Sequence, residues 1–303
     1  MRSDEGGPVM TRRGLLLFLF LGVAWGIPYL LIRIAVTEVE PAFLVLCRTG
    51  LAALLLMPIA IARRSLLPTF RFWRPLLAYA AIEVAVPWYF LASAERSLPS
   101  STTGLLLAVV PLVGVGVGLA LGARQQFSAV NALGLGLGLA GVGLLVGFES
   151  RAVNPWAFAE VVIVVIGYAV GPAILVRWMP KADPIGLTAI ALGAVALAYL
   201  PIVAATNAWP RELPSSATIT SVVVLAIVCS AAAFVALASL VNEVGAVRAT
   251  TVTYVNPAVA LLAGAIVLNE PVTAWSLVGL GFILLGCILA ARRTRSTGRW
   301  RAE

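Results

Sequence analysis

Apolar runs of about 20 residues recur from one end of this chain to the other, and that recurrence leaves little choice of fold. At about 1.5 Å of rise per residue, a helix of that length crosses the hydrocarbon layer of a bilayer. Backbone groups in lipid must find partners within their own segment, so each run is expected to be helical. The expected spans are 14–35, 42–62, 75–94, 101–122, 129–148, 155–176, 185–206, 218–240, 249–269 and 273–291. Of the 303 residues, 61% are hydrophobic and 11% charged, too little charge to cover a soluble protein of this size. No stretch is left over for a separate soluble domain.

The charges fix the way the spans are threaded. Arg2, Arg12, Arg13, Arg63, Arg64, Arg71, Arg74, Arg124, Arg177, Lys181, Arg248 and the tail (Arg292, Arg293, Arg295, Arg299, Arg301) fall on one side, 16 of the 21 Lys+Arg residues. The other side receives Arg96, Arg151 and Arg211 with Glu38, Glu40, Glu149 and Glu212. The positive-inside rule then places both termini in the cytoplasm and requires an even number of spans, which ten satisfies. The pI near 10.1 could suggest nucleic acid, but basic residues confined to loops between apolar runs are topology signals, so no nucleic-acid partner is expected. The first apolar run continues through Trp25-Gly26-Ile27-Pro28 with no small-residue cleavage site, and reads as a retained helix rather than a signal peptide. Heavy use of Ala, Gly, Val and Arg, with Lys181 the only lysine, points to a GC-rich bacterial genome and hence to a bacterial inner membrane.

The absence of histidine excludes His-based triads and His metal sites. Cys47, Cys229 and Cys287 lie inside separate apolar runs and read as small core residues, not as a disulfide framework. No catalytic residue, metal site or cofactor is expected.

A repeat runs through the chain at a nearly constant offset. Ala24-Trp25-Gly26-Ile27-Pro28 corresponds to Tyr168-Ala169-Val170-Gly171-Pro172, and Arg33 to Arg177. Met57-Pro58 corresponds to Leu200-Pro201, and Val110-Pro111 to Asn256-Pro257. Five spans per half is an odd number, so the second half enters the membrane upside down relative to the first. The expectation is an all-α membrane protein of ten helices built from two inverted-topology repeats, 14–148 and 149–291. A cytoplasmic N-terminus (1–13) precedes them and a basic cytoplasmic tail (292–303) follows. Pro28, Pro111, Pro172 and Pro257 are the expected helix breaks, and breaks at matching positions of inverted repeats point to a transport site.

The chain resembles the drug/metabolite transporter superfamily, specifically its EamA-type exporters with ten helices. The residues that carry the likeness are Trp25-Gly26 and Arg48 in half one. In half two they are Gly245-Ala246-Val247-Arg248-Ala249, Pro257 and Asn269-Glu270-Pro271. Where half two has Glu270-Pro271, half one has Arg124-Gln125-Gln126, a departure from the pattern. The resemblance implies export of small metabolites or drugs, coupled in many members to the proton gradient, and does not fix the substrate.

Seven residues are candidates for contact with substrate or coupling ion: Glu83, Arg48, Trp25, Tyr29, Trp88, Tyr168 and Asn256. An ionised Glu83 in mid-span must face a cavity, find a cation or stay protonated; the competing reading is a structural carboxylate, paired with Arg48 or hydrogen-bonded to a neighbouring helix. Arg48 could hold a substrate carboxylate, pair with Glu83 or snorkel outward. Trp25, Tyr29 and Arg33 share one face of the first span, with lipid contact the alternative to cavity lining. Asn256 could serve substrate or the carbonyl that Pro257 frees. Glu160 reads as an interfacial carboxylate or as part of the outer mouth. Glu270 reads as a cap for the tenth helix. Glycines spaced by four, at Gly22 and Gly26, at Gly167 and Gly171, and along spans 4 and 5 (Gly114, Gly118, Gly122, Gly134, Gly138, Gly143, Gly147), read as close helix packing.

Together these features indicate a secondary transporter working by alternating access on amino-acid-like or amphipathic solutes, as a monomer or homodimer. A lipid-modifying intramembrane enzyme or a non-transporting scaffold is the alternative. No feature of the sequence selects the substrate, the coupling ion or the direction.

Overall fold

Proline and short polar side chains set where the helices start. Pro41, Pro155 and Pro184 open their helices at the position where a missing N–H costs nothing. Thr11, Asn154, Asp183 and Ser215 accept hydrogen bonds from first-turn N–H groups that would otherwise be orphaned. In the computed structural model, residues 11–120, 129–149, 154–245 and 249–290 are described. They form ten helical spans: α1 Arg12–Ala35, α2 Pro41–Ala62, α3 Trp73–Ala94, α4 Ser100–Gly118, α5 Ala129–Glu149, α6 Pro155–Trp178, α7 Pro184–Ala205, α8 Ser216–Val244, α9 Thr251–Val267 and α10 Ala274–Ala290. Seven of them, α1 to α4 and α6 to α8, are long and apolar enough by themselves to cross a membrane over their described residues. No strand occurs among the described residues. Arg124, Gln125, Gln126, Arg151 and Arg248 lie outside the described residues, as do both chain ends.

Contacts between loops sort the two ends of the bundle. At one end Arg96 pairs with Glu40 at 2.9 Å, the Ser215 N–H donates to Glu38 at 2.7 Å, and the Ser100 N–H donates to Glu270 at 2.8 Å. At the other end Arg63 lies 3.8 Å from Asp183, the Asn131 amide donates to the Ala290 carbonyl at 2.8 Å, and Thr11 donates to Glu243. Successive spans therefore alternate in direction, and α6 begins at the end opposite to α1, as inverted halves require. Packing follows the same two-fold relation. Helices α2, α4 and α5 each pack on their own counterparts α7, α9 and α10, while α3 packs on α6 as α8 packs on α1.

Three of the four expected helix breaks are present. α1 is interrupted at Ile27, before Pro28. α4 is interrupted at residues 108–109, ahead of Val110-Pro111. α9 opens with a 3-10 turn, Thr250–Tyr254, before Asn256-Pro257. Pro172 departs from expectation: α6 runs through it without interruption. Two other helices also run through an internal proline, α2 through Pro58 and α7 through Pro201, so a proline by itself does not interrupt a span here.

Two irregular segments had no sequence warning. Residues Ala80–Ala85 in α3 and Ile227–Ala232 in α8 are π-helical, and they sit at matching places in the two halves. Each widens one turn and frees backbone carbonyls. The Tyr199 hydroxyl donates to the Ala85 carbonyl at 2.8 Å in the first, and the Ser230 hydroxyl to the Leu225 carbonyl at 2.9 Å in the second.

The glycines are more selective than their spacing implied. α5 and α10 meet backbone to backbone: a Cβ on Gly286 would lie 2.6 Å from the Gly134 carbonyl oxygen, and one on Gly141 2.8 Å from that of Gly279. Gly114 of α4 and Gly143 of α5 have nothing within 4 Å of such a Cβ, so these two do not serve close packing. Replacing Gly286 by Ala should therefore lower stability in detergent by about 1–3 kcal/mol, the usual cost of overpacking. Gly114→Ala should stay within about 0.5 kcal/mol of the parent. Equal melting temperatures for the two variants would contradict this account of the α5–α10 seam.

Candidate functional site

Arg48 anchors the site because a buried guanidinium has to be provided for. It lies two turns into α2 and is only 6% exposed. Its Nε donates to the Ser230 hydroxyl at 3.1 Å, and its guanidinium stacks over the Trp88 ring at 3.6 Å from the ring centre. Stacking on an aromatic face and a single hydrogen bond occupy the plane and one edge. Its two terminal amino groups make no hydrogen bond among the described residues. Arg48 does not pair with Glu83; the ion pairs among the described residues are Arg63–Asp183 and Arg96–Glu40. The structural-pair reading of Glu83 is therefore not what is found.

Around the guanidinium, the fold gathers residues from both halves. Tyr29 of α1 and Tyr168 of α6 lie within electrostatic reach of Arg48 and of each other. The Tyr29 ring packs against Gly104 of α4, where a Cβ would come within 3.2 Å of it. Four of the seven expected residues, Tyr29, Arg48, Trp88 and Tyr168, thus share one chamber.

Glu83 occupies the π segment of α3, at the fourth position, as Ser230 does in the π segment of α8. Its carboxyl lies directly over Gly171 of α6, where any side chain would overlap it. One carboxyl oxygen, Oε2, is buried with no hydrogen-bond partner. Tyr79 and Tyr168 are its electrostatic neighbours. Trp25 and Asn256 lie away from the Arg48 cluster. Trp25 meets Phe234 of α8 edge-on at 6.1 Å. Asn256 stands at the α9 break, its backbone carbonyl against Gly26 and its buried Oδ1 without a partner.

Gly26 and Gly171 face different neighbours for a simple reason. Gly26 stands two residues before Pro28, whereas Gly171 stands one before Pro172, and one residue turns a helix by about 100°. The first pair of glycines meets α9, through Val255 and Val259; the second meets α3.

Glu95 escaped the sequence reading. It follows the last turn of α3 beside Arg96, and a Glu-Arg pair at a helix end looks like a solvated loop. The structure buries it completely, at 0% exposure, with neither carboxyl oxygen hydrogen-bonded among the described residues. Arg33 donates to its main-chain carbonyl instead of its carboxyl. Ser230 was also missed, because a lone serine in an apolar run signals nothing until the helix bulges. Glu160 accepts from the Ser93 hydroxyl at 2.7 Å, tying α6 to the end of α3.

Glu270 is a cap, but for a different helix. Its carboxylate takes the Ser100 N–H and the Ser101 N–H, both at 2.8 Å, and so caps α4. α4 has Pro99 before it and no side-chain cap of its own. The start of α10 is served by Thr273, which accepts from the Ser276 N–H at 3.0 Å.

The acidic end of the bundle is tied by the Glu270 cap, the Arg96–Glu40 pair and the Glu38–Ser215 bond. Beside these ties a cavity of about 1060 Å³ opens, lined by Glu38, Glu40, Tyr89, Tyr199, Trp209 and Arg211 among others. Among the described residues no cluster of metal-ligating side chains occurs.

A ten-helix bundle of inverted halves, with broken helices and a charged, aromatic chamber between them, is the architecture of a membrane transporter. The EamA-like transporter family matches the chain twice, at residues 12–147 and 156–292, and the chain belongs to that family. It is similar to the uncharacterized inner membrane transporter YedA of Escherichia coli K12, 29% identical over 275 residues covering 89% of this chain and 87% of YedA. It is also similar to the uncharacterized transporter YvbV of Bacillus subtilis 168, 25% identical over 94% of this chain and 93% of YvbV. A solved crystal structure shares the fold with a TM-score of 0.67 at 17% identity, covering 92% of this chain and 96% of its own.

Two outcomes follow for the ties. Glu270→Ala should cost about 1 kcal/mol, the typical worth of a helix cap, and a thermal melt unchanged from the parent would remove the capping role. Glu38, fully exposed, is held below the ordinary carboxylate range by the Ser215 hydroxyl and then by the Ser215 N–H. A depressed folded-state value means that the tie contributes at pH above the ordinary range and is lost as pH falls through the lowered value. Hydrogen exchange at residues 215–218, corrected for intrinsic rates, should speed up as pH falls below the ordinary carboxylate range in the parent and show no such step in Glu38→Gln.

Proposed function

We propose that this chain is a secondary transporter that exports small metabolites or drugs, amino-acid-like or amphipathic solutes, by alternating access between halves 14–148 and 149–291. The observation that supports it best is the chamber around Arg48. A guanidinium with free donors, the Trp88 ring and two tyrosines gather between inverted repeats, with the Glu83 carboxyl next to Tyr168. Hydrocarbon would penalise every one of these groups unless a polar solute or an ion visited them.

No nucleotide-binding loop occurs in the sequence, so the driving force in this reading is an ion gradient. Glu83, in its π segment with one unpartnered oxygen, is the proposed proton-coupling group. The basic end of the bundle, with Arg12, Arg13, Arg63, Arg64, Arg71, Arg74, Arg177 and Lys181, faces the cytoplasm by the positive-inside rule. Both termini then lie in the cytoplasm, the membrane is the bacterial inner membrane as for the relative YedA, and the working form is a monomer or homodimer with no nucleic-acid partner. The family and the names of the relatives indicate a transporter rather than an enzyme.

Reconstitution tests the reading. Proteoliposomes preloaded with amino acids, nucleobases or toxic amphiphiles should show counterflow of at least one class. A proton gradient should accelerate it, and Glu83→Gln should abolish that acceleration while leaving exchange in place. Proton-driven transport that survives Glu83→Gln would take the coupling role from this residue. A protein that moves no solute under any gradient, yet turns over a lipid, would overturn transport itself.

A further inference from the structure

We infer that Tyr199 of α7 is a positioning residue for Glu83: its hydroxyl pins the π segment of α3 and so keeps the carboxyl on its Gly171 seat. This rests on the reading above, in which Glu83 couples protons to transport, and adds the residue that sets where that carboxyl stands.

The π segment is gripped by two other helices at the level of its backbone. Its own signature is the Val86 N–H, which reaches back five residues to the Ala81 carbonyl. α6 receives the segment through two glycines. A Cβ on Gly167 would lie 2.5 Å from the Ile82 carbonyl oxygen and 2.5 Å from the Pro87 ring, and one on Gly171 would overlap the Glu83 carboxyl. α7 holds the end of the segment, where the Tyr199 hydroxyl donates to the Ala85 carbonyl at 2.8 Å, two residues beyond Glu83. A regular turn would send the Val86 N–H to Ile82 instead. It would rotate Glu83 relative to Pro87 and Trp88 and take the carboxyl off Gly171.

Packing alone does not account for the hydroxyl. Tyr199 is 7% exposed, between Ala198 and Leu200, and a phenylalanine would fill the same space. The hydroxyl's proton is committed to the Ala85 carbonyl, so Tyr199 acts on Glu83 through the backbone and not as a proton carrier. In the first half, the offset between Pro58 and Pro201 puts Leu56 at the place of Tyr199. The π segment of α8, which carries Ser230 where α3 carries Glu83, is closed from within by the Ser230–Leu225 bond and reached by Arg48. Of the two π segments, the one with the acid is the one pinned by a tyrosine. The titratable neighbours of Glu83 are Tyr168 on α6 and Tyr79 on its own helix, and α7 brings Tyr199.

Infrared acid–base titration of the purified full chain in nanodiscs reads Glu83 directly, with the proton as the only ligand. The carboxyl stretching band present in the parent and missing in Glu83→Gln belongs to this residue. Tyr199→Phe should move the frequency of that band and shift its pH midpoint by about one unit, the effect of losing one hydrogen bond. Gly171→Ala, which fills the seat itself, should shift the band the same way, and the two changes together should give less than the sum. A Glu83 band with parental frequency and midpoint in Tyr199→Phe sinks the positioning role, and so do fully additive effects. A parent with no Glu83 band at any pH sinks both this role and proton coupling. If Tyr199→Phe moves the band but proton-driven counterflow in proteoliposomes survives Glu83→Gln, the coupling reading falls and the positioning of Glu83 by Tyr199 stands.

Discussion

Backbone hydrogen bonding in a medium without water is the constraint on which this structure depends. A regular helix satisfies it automatically, so every irregular turn has to be answered by a specific neighbour. The break in α4 shows how. The Leu112 N–H bonds to Val109 rather than to Ala108, and the carbonyl thus released at Ala108 is taken by the Cys287 thiol of α10 at 3.4 Å. In α3 the carbonyl loosened by the π segment is taken by Tyr199 of α7, and in α8 by Ser230. In α4 and α3 the irregular backbone is thus answered by another helix, and in α8 by the span's own Ser230. The same Ser230 hydroxyl accepts from Arg48, which ties the α8 bulge to the site.

Charge obeys the same economy. A charged side chain at the centre of a membrane helix costs about 2.5–3.5 kcal/mol on insertion scales, and stacking plus one hydrogen bond recovers part of that for Arg48. At the acidic end the arginines are spent on closure: Arg96 on Glu40 and on the Val39 carbonyl, Arg33 on the Glu95 carbonyl. Among the described residues the Arg48 amino groups, Oε2 of Glu83 and both oxygens of Glu95 are left without a hydrogen bond, while the charge of Arg33 still stands opposite that of Glu95.

Much of the fold was legible in the sequence because lipid simplifies the code. Run length located the ten spans to within a few residues, and loop charges sorted the two ends. The constant offset between proline pairs revealed the inverted halves. Arg48, Tyr29, Trp88 and Tyr168 could be nominated because polar and aromatic groups are conspicuous in an apolar run. What stayed hidden depends on rotation and on partners. A π turn leaves no residue signature, so Ser230 looked inert. Glu95 went unnoticed because burial by parts of the chain distant in sequence leaves no mark on its own stretch. Pro172 looked like a break because proline was taken to interrupt a helix wherever it falls, whereas α2, α6 and α7 run through Pro58, Pro172 and Pro201. The role of Glu270 was right in kind and wrong in partner, since a cap in sequence proximity to α10 proved to reach α4.

The two halves share a backbone plan but not its chemistry. By the proline offset Arg48 corresponds to Ala191, Tyr29 to Ala173 and Tyr168 to Ala24, and by the π segments Glu83 corresponds to Ser230. The charged groups of the chamber therefore belong to the first half alone, with the second contributing Tyr168 and Ser230. Alternating access by exchange of conformations between inverted halves would exchange which broken helix covers the chamber, α4 with its break at 108–109 or α9 with its 3-10 turn. It would not exchange the charges. Arg48, Glu83 and Glu95 ride on α2 and α3 in both states, so the two openings present the same bound groups behind chemically different covers. In such a cycle the symmetry of the scaffold would supply the two states, and its absence in the side chains would let those states differ in affinity.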